Sequence, residues 1–176
     1  MTRIAILAQT IASGDAVGND VCGMSQALEA RGHDVRIYAE HWNVIEQKVW
    51  PASEIADFLK APSDVAIYHH SIGWNQGVEL LQALEKNRTV VKYHNVTPPE
   101  FFFGVSSDFE NRCRLGREQL ADLARAGCDL YLADSAFNLQ ELIAHGIDRG
   151  FIVPPFNHVD RLCSSEPDLK VLDACS

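Results

Sequence analysis

Four polar segments hold most of the side chains in this sequence that could do chemistry: residues 13–20, 69–75, 94–99 and 134–138. Each follows an apolar, β-branched run of strand length. The first sets Gly14 and Gly18 around a helix start, with Asp15 and Asn19 between and beside them. Backbone can approach a ligand closely at such a loop, and the free N–H groups of a helix start attract anions. Gly14-x-x-x-Gly18 is neither Gly-x-Gly-x-x-Gly nor a Gly-Lys-Ser/Thr phosphate loop. A plain turn, with Asn19 or Asp20 capping the helix, would use the same residues.

Histidines dominate the middle segments. His69 and His70 end one strand and point to opposite faces, so at most one aims easily into a shared site; Ser71 follows them. His94 ends the next strand, ahead of Asn95, Thr97 and a loop stiffened by Pro98 and Pro99. A histidine placed there can donate to a hydroxyl or shuttle a proton near neutral pH; it can equally satisfy backbone groups where the strand ends. No metal is expected, because the chain has no His-x-x-x-His and no cysteine cluster. In the last segment Ser135 is placed to cap a helix that also carries Asn138. Phe101, Phe102 and Phe103 are expected to pack under their loop, with Arg112, Arg114 and Arg117 on a solvated helix face; a docking patch for a lipid or carrier is the alternative.

These segments need a scaffold that brings strand ends together, and the order of elements supplies one. Strands are predicted at 3–9, 34–39, 44–49, 64–69, 88–93, 129–133 and 151–153. Val21, Met24 and Leu28 mark a helix over 20–31, ended by Gly32; further helices are predicted after Pro51, around Gly77 to Leu84, over 108–126 and after Ser135. Strands alternating with helices predict a doubly wound, mostly parallel sheet with helices on both faces. In the order 3-2-1-4-5-6, the first and fourth strands meet where the order reverses, and ligands bind there outside the carboxyl ends. All four polar segments open on that edge. The opposite edge, with Gly32-His33-Asp34 and Gly127-Cys128-Asp129, carries plain turns.

Composition agrees with one globular domain over 1–157 and a linker over 158–176. Hydrophobic residues are 47% of 176, enough for a core, and the net charge of −9 gives no general attraction for nucleic acid. No apolar run has the length of a transmembrane segment or the form of a signal peptide, and five scattered cysteines fit a reducing, cytoplasmic setting.

The motifs Tyr68-His69-His70-Ser71-Ile72-Gly73, Lys92-Tyr93-His94-Asn95-Val96-Thr97-Pro98-Pro99 and Ala133-Asp134-Ser135-Ala136-Phe137-Asn138 resemble the amino-terminal domain of bacterial glycosyltransferase family 4 proteins. The resemblance runs to about Phe156, and the His94-Asn95-x-Thr97-Pro98-Pro99 segment is its most specific part; the first loop departs from the commoner Gly-Gly form. It implies the GT-B fold, two Rossmann-like domains across a cleft, and transfer of a sugar from a nucleotide sugar with retention and without a metal. The acceptor, a saccharide or lipid-linked saccharide, would bind this domain, and the nucleotide a carboxyl-terminal donor-binding domain. His94 would lie near the transferred sugar as the catalytic candidate. Gly14, Asp15, Gly18, Asn19, His70, Ser71, Asn95, Thr97, Ser135 and Asn138 would line the cleft. The Glu-x7-Glu motif and basic diphosphate ligands belong to the second domain, so this chain alone is expected to be inactive and to bind no cofactor, the nucleotide sugar being a co-substrate of the whole enzyme. A cytoplasmic place, peripheral at the inner membrane where the acceptor is lipid-linked, follows from the same resemblance. A stand-alone binding domain working with a separate donor-binding subunit remains the alternative. A dinucleotide enzyme is disfavoured by the glycine spacing, and a flavodoxin-like regulator by the lack of an acidic cluster at the first strand's end.

Overall fold

The computed structural model describes residues 1–12, 14–43 and 46–157. Ser13, Val44, Ile45 and the expected linker at 158–176 lie outside them. In chain order the elements are β1 (Arg3–Ala12), α1 (Ala16–Glu29), β2 (Asp34–Asn43), β3 (Val49–Pro51), α2 (Ile55–Phe58), β4 (Val65–His70), α3 (Asn75–Ala83), β5 (Arg88–Tyr93), α4 (Ser107–Arg125), β6 (Leu130–Ala133), α5 (Ala136–Ala144) and β7 (Gly150–Ile152). The strands form one parallel sheet in the order β3-β2-β1-β4-β5-β6-β7. The order reverses between β1 and β4, as the alternation of elements predicts.

β1 is apolar on both sides because both sides are covered. Ile4, Ile6, Ala8 and Ile11 face α1 through Val21 and Met24. Ala5 and Leu7 face a larger cluster that includes Phe58 of α2, Val78 and Leu81 of α3, Leu120 and Leu123 of α4 and Leu142 of α5. Fully burying one such aliphatic side chain stabilises the fold by about 1.5–3 kcal/mol. The continuous apolar run of a central parallel strand is the sequence form of this double burial.

Two boundaries differ from expectation. α1 begins four residues before the predicted 20, and neither Asn19 nor Asp20 caps it. Asp15 does: its backbone is extended and its Oδ2 accepts the Gly18 N–H at 3.0 Å, after Gly14 turns the chain at φ 79°. Ala16, Val17 and Gly18 lack the apolar spacing that marks the rest of the helix, so the first turn is hidden in the sequence. Among the described residues, the third strand, predicted at 44–49, pairs with β2 through Val49–Pro51.

The two sheet edges are finished differently. At the amino edge, the Asp64 carboxylate accepts the N–H groups of Arg3, Lys60 and Ala61, and that of Asp129 accepts the Thr89 N–H and pairs with Arg88. These carboxylates are used up in holding turns. At the carboxyl edge, the loop after β4 is pressed onto α4. The Gly73 N–H donates to the Arg112 carbonyl at 3.0 Å, and a Cβ on Gly116 would stand 2.7 Å from the Gly73 nitrogen. Because the obstacle is backbone, a side chain there must push the loop away. Gly116→Val is expected to lower unfolding free energy by about 2 kcal/mol or more in urea titration, despite valine's better helix propensity.

Candidate functional site

The carboxyl edge is built around a lysine with no access to water. Lys92 and His69 occupy the same row of the sheet, as neighbours across β5 and β4, and both side chains point to the α1 face. The Lys92 ammonium donates to the Val153 carbonyl at 2.7 Å and lies 3.2 Å from Asp20 Oδ2 and 3.3 Å from Asp134 Oδ1. Asp20 comes from the second turn of α1 and Asp134 from the end of β6. The Asp20 Oδ1 accepts the Phe156 N–H at 2.8 Å, and Phe156 packs where Gly23 leaves room. One ammonium therefore ties α1, β5, β6 and the segment leaving β7 to a common point.

His94 joins the cluster at the end of β5. Its Nδ1 lies 2.8 Å from Asp134 Oδ2 and its Nε2 lies 2.9 Å from His69 Nδ1. With the Nδ1 proton of His94 donated to Asp134, its Nε2 is placed to accept from His69 Nδ1–H. Burial, and then the proximity of His94 and of the Lys92 ammonium, hold His69 well below the ordinary histidine range, so His69 stays neutral. Its Nε2 is buried with no hydrogen-bond partner among the described residues. Both ring nitrogens of His94 are thus engaged inside the protein, and the side chain is 7% exposed. To act on a ligand through a ring nitrogen, His94 would have to leave Asp134 or His69.

Three atoms here, Asp20 Oδ2, His69 Nδ1 and His94 Nε2, lie 2.9 to 3.6 Å apart, separations a divalent cation can bridge. The Lys92 ammonium uses the same Asp20 oxygen. A metal would place like charges in contact in a dry interior, so the residues fit the ammonium better.

The expected site residues divide into three groups. Asp15, Gly14, Asn95 and Thr97 are exposed, and Asn19, Ser71 and Ser135 are partly exposed, all at the carboxyl edge. Gly18 and Asn138 are buried in local packing: a Cβ on Gly18 would meet the Ala12 carbonyl at 2.4 Å, and Asn138 bonds to the capping Ser135 at 2.7 Å. His70 is on the other face. Its Nε2 lies 2.8 Å from the Gly116 carbonyl and its Nδ1 3.2 Å from the Tyr68 hydroxyl, which makes it a fully buried neutral ring, with burial pushing its pKa down to about 4. The structure does not bring His70 to the cluster; it brings His69. Asp20, Lys92 and Asp134 were not singled out from the sequence. The available signal was Lys92 itself, a charged residue inside the apolar run Val90-Val91-Lys92-Tyr93.

Two solved structures share this architecture. One is an alpha-glucosyltransferase (AGT) in complex with UDP, with a TM-score of 0.56 and 15% identity over 97% of this chain and 48% of that one. The other is an alpha-glucosyltransferase in complex with UDP and a 13-mer DNA containing a HMU base, with a TM-score of 0.51 and 16% identity over 96% of this chain and 46% of that one. At such identity the likeness establishes the fold alone, a Rossmann-like α/β domain of the GT-B type, and does not single out family 4. The chain spans about half the length of each. No family model matches the sequence, and no curated protein matches it.

Lys92→Met leaves the buried Asp20 carboxylate and the partly buried Asp134 carboxylate without their ammonium partner. Its expected cost is about 3–5 kcal/mol at neutral pH, and adding Asp20→Asn should recover part of it; urea unfolding of the single and double variants checks both. Acid should also weaken the fold through His69 and His70, whose folded pKa values lie below those of the unfolded chain. For His70, between pH 6.5 and about 4 the unfolded chain binds the extra proton, so stability falls as pH falls, by about 1.4 kcal/mol per pH unit at most, and His69 acts in the same direction. Unfolding free energies at stepped pH measure that slope, and His70→Gln should make it shallower.

Proposed function

We propose that this chain is the acceptor-side half of a GT-B glycosyltransferase that transfers a sugar from a nucleotide sugar. The observation that carries this reading is the coincidence of fold and edge. The sheet aligns with about half of a UDP-bound alpha-glucosyltransferase. Its exposed and half-exposed polar groups, Asp15, Asn19, Ser71, Asn95, Thr97 and Ser135, gather at the carboxyl ends of the strands, where ligands bind in this architecture. Retention of configuration and the family 4 assignment come from the motif resemblance.

In this reading the buried cluster supports the site. Lys92, Asp20 and Asp134 hold His94 rigid beneath the loop that carries Asn95 and Thr97, so those two side chains meet the sugar from a fixed backbone. Rigid placement of polar groups is worth large factors in rate, since small displacements cost catalysis heavily. His94, with its ring nitrogens engaged, serves as the floor of the site; a direct role requires release from His69. Stabilisation of the departing nucleotide falls to the donor-binding half, whether that half is joined to this chain or separate. With a net charge of −9, a neutral saccharide acceptor suits the chain better than DNA.

The test incubates residues 1–176 with labelled nucleotide sugars and saccharide acceptors, alone and together with the donor-binding half. No turnover is expected from the chain alone, and transfer is expected with the half present. Asn95→Ala combined with Thr97→Ala should slow that transfer by about tenfold or more while leaving thermal unfolding unchanged, because both side chains are exposed. Turnover by the chain alone, or no transfer from any nucleotide sugar with the half present, contradicts the proposal.

A further inference from the structure

The loop after β5 exposes Asn95 and Thr97 on either side of Val96, which is fully buried. Residues 95–97 make no backbone–backbone hydrogen bond among the described residues; the nearest such bonds join the His94 N–H to the His70 carbonyl and the Phe101 N–H to the Pro98 carbonyl. Side chains must therefore set the course of this stretch, and two consecutive residues of α4 do so. Gly116 leaves room for the Val96 side chain, whose Cγ1 would stand 3.2 Å from a Cβ at that glycine. Arg117 Nη1 donates to the Val96 carbonyl at 3.0 Å. Farther along, Phe102 lies against the core while Phe101 and Phe103 stand mostly in solvent, so the expectation that all three phenylalanines pack under the loop holds for Phe102 alone.

The expected solvated arginine face holds for Arg112 and Arg114, which pair with Asp108 and Glu110 one turn earlier on α4 at 3.0 and 2.9 Å. Arg117 has Cys113 at that spacing and turns away from its own helix. Its Nη2 donates to Glu141 Oε1 of α5 at 3.0 Å, and Glu141 Oε2 accepts the Tyr93 hydroxyl at 2.9 Å. Burial, and then Glu141, raise the Tyr93 pKa, so the phenol keeps its proton and donates. The guanidinium is thus fixed to α5 by one arm and holds the loop with the other, a use of the planar fork that an ammonium does not match. A partly exposed ion pair of this kind adds little to stability, so its main effect falls on the loop. The Lys92 cluster holds His94 from the α1 side of the sheet; Arg117 and Glu141 hold Val96 from the α4 side. We propose that Arg117 is a positioning residue of the acceptor site: by holding the peptide between Val96 and Thr97, it sets the direction from which Asn95 and Thr97 meet a saccharide hydroxyl. What the loop binds rests on the glycosyltransferase reading; the hold on the loop rests on these contacts alone.

The test measures transfer by this chain with its donor-binding half present, using a panel of labelled UDP-, GDP- and ADP-sugars and saccharide acceptors. Arg117→Ala is expected to lower kcat/KM for the acceptor by about tenfold, with the KM of the nucleotide sugar unchanged. In the Asn95→Ala, Thr97→Ala background the same substitution should change the remaining transfer by less than about twofold, because the side chains it positions are gone. Arg117→Lys keeps a cation beside Glu141 and gives up the fork, so it should unfold as the unsubstituted chain does and still lose about fivefold or more in transfer. In the 176-residue chain alone, NMR relaxation should show rigid amides at Asn95, Val96 and Thr97 that become mobile in Arg117→Ala, while those of α4 and α5 stay rigid. Loop amides equally rigid in both forms, full transfer by Arg117→Lys, or a loss that simply adds to that of the double alanine variant overturns the inference. Loop amides freed by Arg117→Ala in a protein that shows no transfer even when unsubstituted leave the hold on the loop standing and defeat the glycosyltransferase reading.

Discussion

A buried ammonium cannot stand alone, and much of the carboxyl edge follows from that constraint. Lys92 lies in the middle of the sheet with no water within reach, so its charge must be met by protein groups. Asp20 answers from α1, Asp134 from the end of β6 and the Val153 carbonyl from the chain beyond β7. Each carboxylate is in turn held by a second partner, the Phe156 N–H for Asp20 and the His94 ring for Asp134. Shifting any one element would strand a charge in the interior. This is a reason for specificity of arrangement more than for stability, since a well-packed apolar core could hold the same elements together.

The same constraint separates the two adjacent histidines. Strand alternation requires that His69 and His70 part company, and this was legible from their positions alone. Which of them meets His94 depends on the face that α1 covers and on the pairing of His69 with Lys92, both tertiary facts. The strands other than β3 and the longer helices were legible because their apolar spacing is strong, and the Ser135 cap because a hydroxyl precedes an apolar helical run. The first turn of α1 was not, because Ala16 is exposed, Val17 is half-buried and Gly18 packs by smallness and not by apolar period; a Cβ on Gly18 would strike the end of β1. Asp20 was masked for the same reason. With the helix start read four residues late, it looked like a capping residue, when it is a buried partner of Lys92.

Motif resemblance and structural likeness are separate lines that meet at the GT-B type of fold. The motifs lie at strand ends; the structural alignment rests on the course of the backbone across almost the whole chain. The motifs contain His69, Lys92, His94 and Asp134 as residues, and the buried cluster adds the contacts among them. It turns His94, the residue the motif would make the direct actor, into a part of the interior whose ring is fixed from both sides. The exposed polar groups that remain, above all Asn95 and Thr97, are then the ones free to meet a ligand.

A crystal structure of the polypeptide that contains this chain, with a nucleotide sugar bound, tests that account most directly. The account predicts the transferred sugar at the carboxyl edge, between the start of α1 and the loop carrying Asn95 and Thr97, with the contacts of His94 to Asp134 and His69 unchanged. A sugar bound at the amino edge, or a His94 ring that has left both partners to contact it, would contradict the account.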